Sequence, residues 1–150
     1  MKNQKILVFS LLLAALYLSV SFAAADINCD VCGMKIEQRG RNHMLLKHVQ
    51  TDKKTLNVCS IPCLLKARKH DSQYTKVEII NFNNPEKFLA GDKAFFLVKS
   101  KKIKAALGDM VMPPHVVALS TKKEADAVLK KYADGTIVQG FENALKILSN

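Results

Sequence analysis

Four cysteines place the tightest constraint on how this 150-residue chain folds: Cys29 and Cys32, then Cys59 and Cys63, spaced C-x2-C-x26-C-x3-C. Two intervening residues let the sulfurs of Cys29 and Cys32 face one ion from a tight turn, and Gly33 supplies the permissive backbone such a knuckle needs. Whatever joins that turn to Cys59 and Cys63 decides which elements must meet. Two readings are open at this point: four thiolates around a metal, or two disulfides of the kind exported chains use.

The N-terminus favours export. Lys2 and Lys5 precede an apolar run over residues 6–25 that ends in Ala23, Ala24 and Ala25. A positive start, an apolar middle and a small-residue end are the parts of a signal peptide, with cleavage expected after Ala25. The alternative is an uncleaved anchor in the inner membrane, since the run approaches the length of about 20 residues that a bilayer requires. Asp26, Ile27 and Asn28 separate the small-residue end from Cys29, so the cysteine is not placed for lipid attachment. Losing Lys2 and Lys5 would lower the 23 basic residues to 21 against 13 acids, a surplus of eight. The lysines are scattered and no aromatic-and-basic recognition motif appears, which excludes a nucleic-acid partner. Such a surface suits peripheral contact with anionic lipid or an acidic protein.

Between the cysteine pairs, residues 43–50 and 55–59 read as strands around the polar turn at residues 51–54, a hairpin pattern. From Ile61 the period becomes helical, with Leu64, Leu65 and Ala67 apolar, Lys66, Arg68 and Lys69 exposed, and Cys63 on the first turn. Knuckle, hairpin and a ligand pair at a helix N-terminus form the layout of a treble-clef metal site. The positive end of the helix dipole favours thiolate at Cys63.

The second half repeats the theme more loosely. A strand is expected over residues 76–81, followed by a looser connection through Asn83, Asn84 and Pro85. Residues 94–98 are continuously apolar and read as a buried strand, and residues 115–119 as another. Thr121 and Glu124 form a capping box opening a helix whose apolar face carries Ala125, Val128, Leu129 and Tyr132. Asp134 and Gly135 end it, residues 136–138 form a strand, and residues 141–148 a closing helix. The expected fold class is α+β, with two small ββα-type subdomains: residues 26–75, carrying the cysteines and the treble-clef-like knuckle, and residues 76–150.

Two metals compete for the cysteines. Zinc accepts four thiolates in a closed tetrahedron, whereas Cu(I) prefers thiolate and thioether ligands. The neighbourhood favours copper: Met34 follows the knuckle, Met44 lies between His43 and His48, and Met110, Met112 and His115 crowd a turn with Pro113 and Pro114. Met44, on an alternating strand, is expected in the core, and His70 at the end of a basic helix is expected to be exposed. Packing and ligation stay open for Met110 and Met112.

The segment Cys29-Asp30-Val31-Cys32-Gly33-Met34-Lys35-Ile36, then Val58-Cys59-Ser60, the apolar run at residues 94–98 and Ala106-Leu107-Gly108 together resemble the NosL family of nitrous oxide reductase accessory proteins. The order extends through residues 121–132 and 135–138. The resemblance implies an exported Cu(I) chaperone with two ββα-type domains and with Cys29, Cys32 and Met34 as copper ligands of the first half. It also implies a copper-accepting periplasmic enzyme, such as nitrous oxide reductase or its maturation machinery, as partner. This chain departs from the pattern in three places. It lacks the lipoprotein cysteine, and it has Leu107 where family members tend to have Met, which turns attention to Met110 and Met112. It adds Cys63, so that Cys59-Ser60-Ile61-Pro62-Cys63 resembles the metal-binding segment of TRASH and YHS domains.

No βαβ unit precedes the Cys-x-x-Cys and no Ser-His-Asp set, carboxylate pair or phosphate loop assembles, so the expectation is a non-enzyme. The sequence reading is a periplasmic Cu(I) chaperone with Cys29, Cys32, Met34, Cys59, Cys63, Met110 and Met112 as candidate ligands. Its alternative is a zinc- or disulfide-stabilised binding module without metal transport.

Overall fold

A computed structural model describes residues 27–36, 43–49, 55–107 and 113–149, the side chains of 104–106 excepted. The segment expected to be a signal peptide, the turn expected at residues 51–54, and Met110 and Met112 lie outside the described residues. The elements run β1 (Ile27–Asn28), β2 (Lys35–Ile36), β3 (Met44–His48), β4 (Thr55–Val58), α1 (Ile61–His70), β5 (Tyr74–Asn81), β6 (Asn84–Ala90), β7 (Phe95–Val98), α2 (Lys101–Leu107), β8 (Val116–Leu119), α3 (Lys122–Tyr132), β9 (Thr136–Gln139) and α4 (Phe141–Ser149). The protein is α+β. Among the described residues, no helix is long and apolar enough to cross a membrane.

Seven strands form one sheet in the order β4-β3-β5-β8-β7-β9, with β6 also on β5. The β3–β4 hairpin is antiparallel, with Met44 opposite Val58 and Leu46 opposite Leu56. Strand β5 joins the halves: it pairs with β3 and β6 and meets β8 in parallel where Asn81 lies opposite Ala118. The position between residues 75 and 76, where the sequence suggests a subdomain boundary, falls inside this strand.

Helices cover both faces of the second half of the sheet. Along β7, Phe96 and Val98 enter a core with α1 and α4, while Phe95 and Leu97 face Ile103 of α2 and Ala125 and Val128 of α3. Val116 and Ala118 of β8 likewise separate from Val117 and Leu119. A strand buried on both faces must be apolar at every position, which is why these two segments lack alternation. In the first half α1 covers the sheet, laying Ile61, Leu64 and Ala67 over Met44, Leu46 and Val58. Met44 is 1 % exposed, the core position expected of it.

Three local expectations need correction. Arg68 is not a solvated residue: its side chain is 18 % exposed and pairs with Glu142 of α4 at 2.8 Å. It also donates to the carbonyls of Tyr74 and Thr75 at 3.0 and 2.9 Å, so its aliphatic stem packs while its fork satisfies backbone acceptors. The connection at Asn83, Asn84 and Pro85 is a tight turn into strand β6: the Asn81 side chain accepts the Asn83 N–H at 2.9 Å and the strand begins at Asn84. Pro85 is tolerated near the strand's start, where its missing N–H removes little pairing. The residue that closes α3 is Ala133, left-handed at φ 55°, whereas Asp134 serves α2 by accepting the N–H groups of Lys101 and Lys102 at 2.8 and 3.2 Å.

Candidate metal centre

The knuckle closes on itself. Gly33 donates its N–H to the Cys29 carbonyl and Cys29 donates to the Met34 carbonyl, both at 2.8 Å. Gly33 has φ +73° with no heavy atom near an added Cβ, so glycine serves backbone conformation here and not close packing. On either side, β1 and β2 pair antiparallel, Ile27 opposite Ile36, and hold the loop's ends together.

A second set of bonds fixes the knuckle against β4. The Asp30 N–H reaches the Asn57 carbonyl at 2.9 Å, and the Asn57 N–H donates to the Asp30 carboxylate at 2.5 Å. The Asn57 side-chain oxygen lies 3.0 Å from His43 Nε2. His43 is itself buried and edge-on to Phe88, with ring centroids 5.0 Å apart. Burial lowers its basicity, opposed by the Asn57 hydrogen bond. His43 thus supports the strand beside the knuckle through Asn57. Sequence reading grouped it only with Met44; its pairing with Asn57 across the hairpin carries no local signal.

The other two cysteines come from the end of β4 and the start of α1. Ser60 caps the helix, its hydroxyl accepting the Cys63 N–H at 3.4 Å, and Pro62 stands in the first turn where no donor is lost. The cap turns the chain so that Cys59 and Cys63 face the knuckle. All four sulfurs lie within 4.8 Å of one another. Cys59 Sγ is 3.6 Å from Cys32 Sγ and 3.7 Å from Cys63 Sγ. None of the four is in a disulfide.

These separations suit a metal. Sulfurs placed about 2.3 Å from a central ion in a tetrahedron are about 3.8 Å apart. The two close pairs sit near that edge length. Charge points the same way. Burial raises the Cys29 thiol, but N–H groups of Val31, Cys59 and Cys32 and the Cys32 thiol hydrogen-bond its sulfur and bring it down to about 7. Cys59 is pushed up, first by burial and then by its Cys32 and Cys29 neighbours, against the Ser60 hydroxyl. Cys63 is pushed up chiefly by burial, also against Ser60. Without a cation, crowded sulfurs resist multiple ionisation, and one thiolate at Cys29 satisfies the available donors. A soft cation reverses this and deprotonates its ligands outright.

Exposure is uneven across the cluster. Cys29 and Cys63 are 2 % and 6 % exposed, Cys59 is half-buried, and Cys32 is exposed. Met34, next to the knuckle, is 45 % exposed. The four cysteines are therefore assembled as the spacing suggests, with Met34 on the same loop.

No protein-family model matches the sequence, and no curated protein matches it. Among solved structures, the crystal structure of the copper chaperone NosL from Shewanella denitrificans is similar, with a TM-score of 0.56 and 23% sequence identity. The match covers 78% of this chain and 91% of that one. The chain is built on the NosL fold.

Proposed function

We propose that this protein is an exported Cu(I) chaperone that holds copper in the cysteine cluster and passes it to a periplasmic acceptor, of which nitrous oxide reductase is one candidate. The observation that carries the reading is the convergence of all four sulfurs within 4.8 Å, from two separate segments, with one side open to solvent. A resident structural ion would be served by a closed site; a cargo ion needs an opening. Similarity in fold to a copper chaperone supports the same reading. Signal-peptide cleavage after Ala25 would deliver the protein to the periplasm, and its basic surplus would favour an acidic acceptor or the membrane surface.

Copper here is cargo. Cys29, Cys32, Cys59 and Cys63 supply thiolates, and Met34, Met110 and Met112 are proposed as thioether ligands that raise selectivity for Cu(I). The work is ligand exchange, with no bond made or broken in an organic substrate. The two sulfur separations near a tetrahedral edge favour a second reading, zinc held by the four cysteines alone.

Changing both Met110 and Met112 to leucine separates the two. Leucine preserves volume and apolarity, so stability should change by less than about 1.5 kcal/mol. Parallel titrations of wild type and the double variant should show Cu(I) affinity falling while zinc affinity holds. Equal losses for both ions would indicate a folding defect. No loss for copper would remove the two methionines from the site and leave zinc as the better account.

A further inference from the structure

The four sulfurs differ in what happens to each when its bond to the metal breaks. Cys29 and Cys63, 2 % and 6 % exposed, lie in a core with Ile36, Val58, Leu64 and other apolar groups, where an acceptor's donor atom does not reach the sulfur. Cys59 is half-buried, with its sulfur between those of Cys32 and Cys63 at 3.6 and 3.7 Å. Cys32 alone is exposed, at the tip of a turn whose neighbours Asp30, Gly33 and Met34 are exposed too. Its released thiolate would be hydrated at once.

We propose that Cys32 is the exchange ligand of this centre: metal enters and leaves on its side, and its sulfur is the first to let go while Cys29, Cys59 and Cys63 retain the ion. The inference rests on the metal-carrier reading given above and adds the order of ligand release. In the transfer step a donor atom of the acceptor forms a bond to Cu(I) as the bond from Cu(I) to Cys32 Sγ breaks. The electron pair of the broken bond stays on Sγ, which takes a proton from water. Copper remains Cu(I), so neither oxidant nor reductant takes part. The buried cysteines hold the ion in a mixed intermediate until the acceptor supplies further donors.

The order of release is read by trapping. Reduced full-length protein is loaded with Cu(I) without oxygen and pulsed with N-ethylmaleimide, with or without excess bicinchoninate as the accepting ligand. Labelled cysteines are located by peptide mass mapping, and departure of copper is followed by the colour of the chelator complex. Early in the transfer, bicinchoninate should raise labelling at Cys32 by at least about fivefold, because a sulfur freed from metal recovers its thiolate reactivity. Cys29 and Cys63 should stay protected until colour develops. Labelling that rises together at all four sulfurs, in step with colour, would overturn the proposal, as would labelling that begins at Cys59. The same pulse on zinc-loaded protein, with 4-(2-pyridylazo)resorcinol as acceptor, tests the release order independently of the copper reading. Cys32-first release with zinc but no Cu(I) uptake would keep this inference and reject the copper chaperone. A chain that takes up neither ion would reject both.

Discussion

Changing Cys29 and Cys32 together to serine should lower the Cu(I) affinity of the reduced protein by more than about a thousandfold: structural zinc sites share about 10–16 kcal/mol of binding over four ligands, and a soft-metal site losing two of its four thiolates should lose a comparable share. The hydroxyl that replaces each thiolate is a hard, protonated oxygen with little affinity for Cu(I). The knuckle backbone should survive, because its closing bonds run between the main-chain atoms of Cys29, Gly33 and Met34, and its anchor is Asp30 on Asn57. Cys29 is 2 % exposed within the core, so some loss of stability should accompany the change. Circular dichroism separates that loss from the loss of ligands. Competition against a Cu(I) chelator checks the claim, and an unchanged affinity in a folded double variant would place the copper site elsewhere.

Changing Phe96 to alanine should have the largest effect on stability, about 3–5 kcal/mol, as expected for truncating an aromatic ring that the surrounding core cannot replace. Phe96 is 0 % exposed and lies edge-on to Phe141 of α4, with centroids 5.7 Å apart. It stands on β7 at the centre of the core shared by α1 and α4, so the cavity would open where the two halves of the sheet are held together. Domains of this size are stable by only about 5–15 kcal/mol, so much of the reserve would go. Leu65, 50 % exposed on α1, should tolerate alanine with less than about 1 kcal/mol lost. Urea unfolding midpoints of the two variants test the contrast. Similar values for both would mean that the core is not centred where the packing places it.

Much of this architecture is legible in the sequence because it rests on local rules. The capping box at Thr121 and Glu124, the uninterrupted apolar runs of β7 and β8, and the change of period at Ile61 each translate into an observed element. The cysteine spacing likewise implies a convergence that the sulfur separations bear out. What escaped was set by long-range contacts. Strands β1 and β2 have two residues each, too few to show any period, and exist because Ile27 meets Ile36 across the knuckle. Helix α2 is the exception: Ser100 stands directly before it and its hydroxyl accepts the Ile103 N–H at 3.1 Å, a local cap not used in reading the sequence, while the further acceptor at its start, Asp134, lies more than thirty residues away. Arg68 looks solvated in a basic helix until Glu142 and the Tyr74 and Thr75 carbonyls arrive from other elements. The differing exposure of the four cysteines is also a tertiary property. Spacing alone treats Cys29 and Cys32 as equals, and only the fold buries one and exposes the other.

X-ray absorption at the copper edge, on reduced wild-type protein carrying about one equivalent of Cu(I), tests the central claim most directly. The edge should be that of Cu(I), and the first coordination shell should be made of sulfur at about 2.3 Å, the reach of thiolate ligands. That shell should lose sulfur neighbours in the Cys29→Ser, Cys32→Ser variant if any copper is retained. A first shell of nitrogen and oxygen in the wild type would contradict the account, because it would mean that the four converging sulfurs are not where this protein holds its metal.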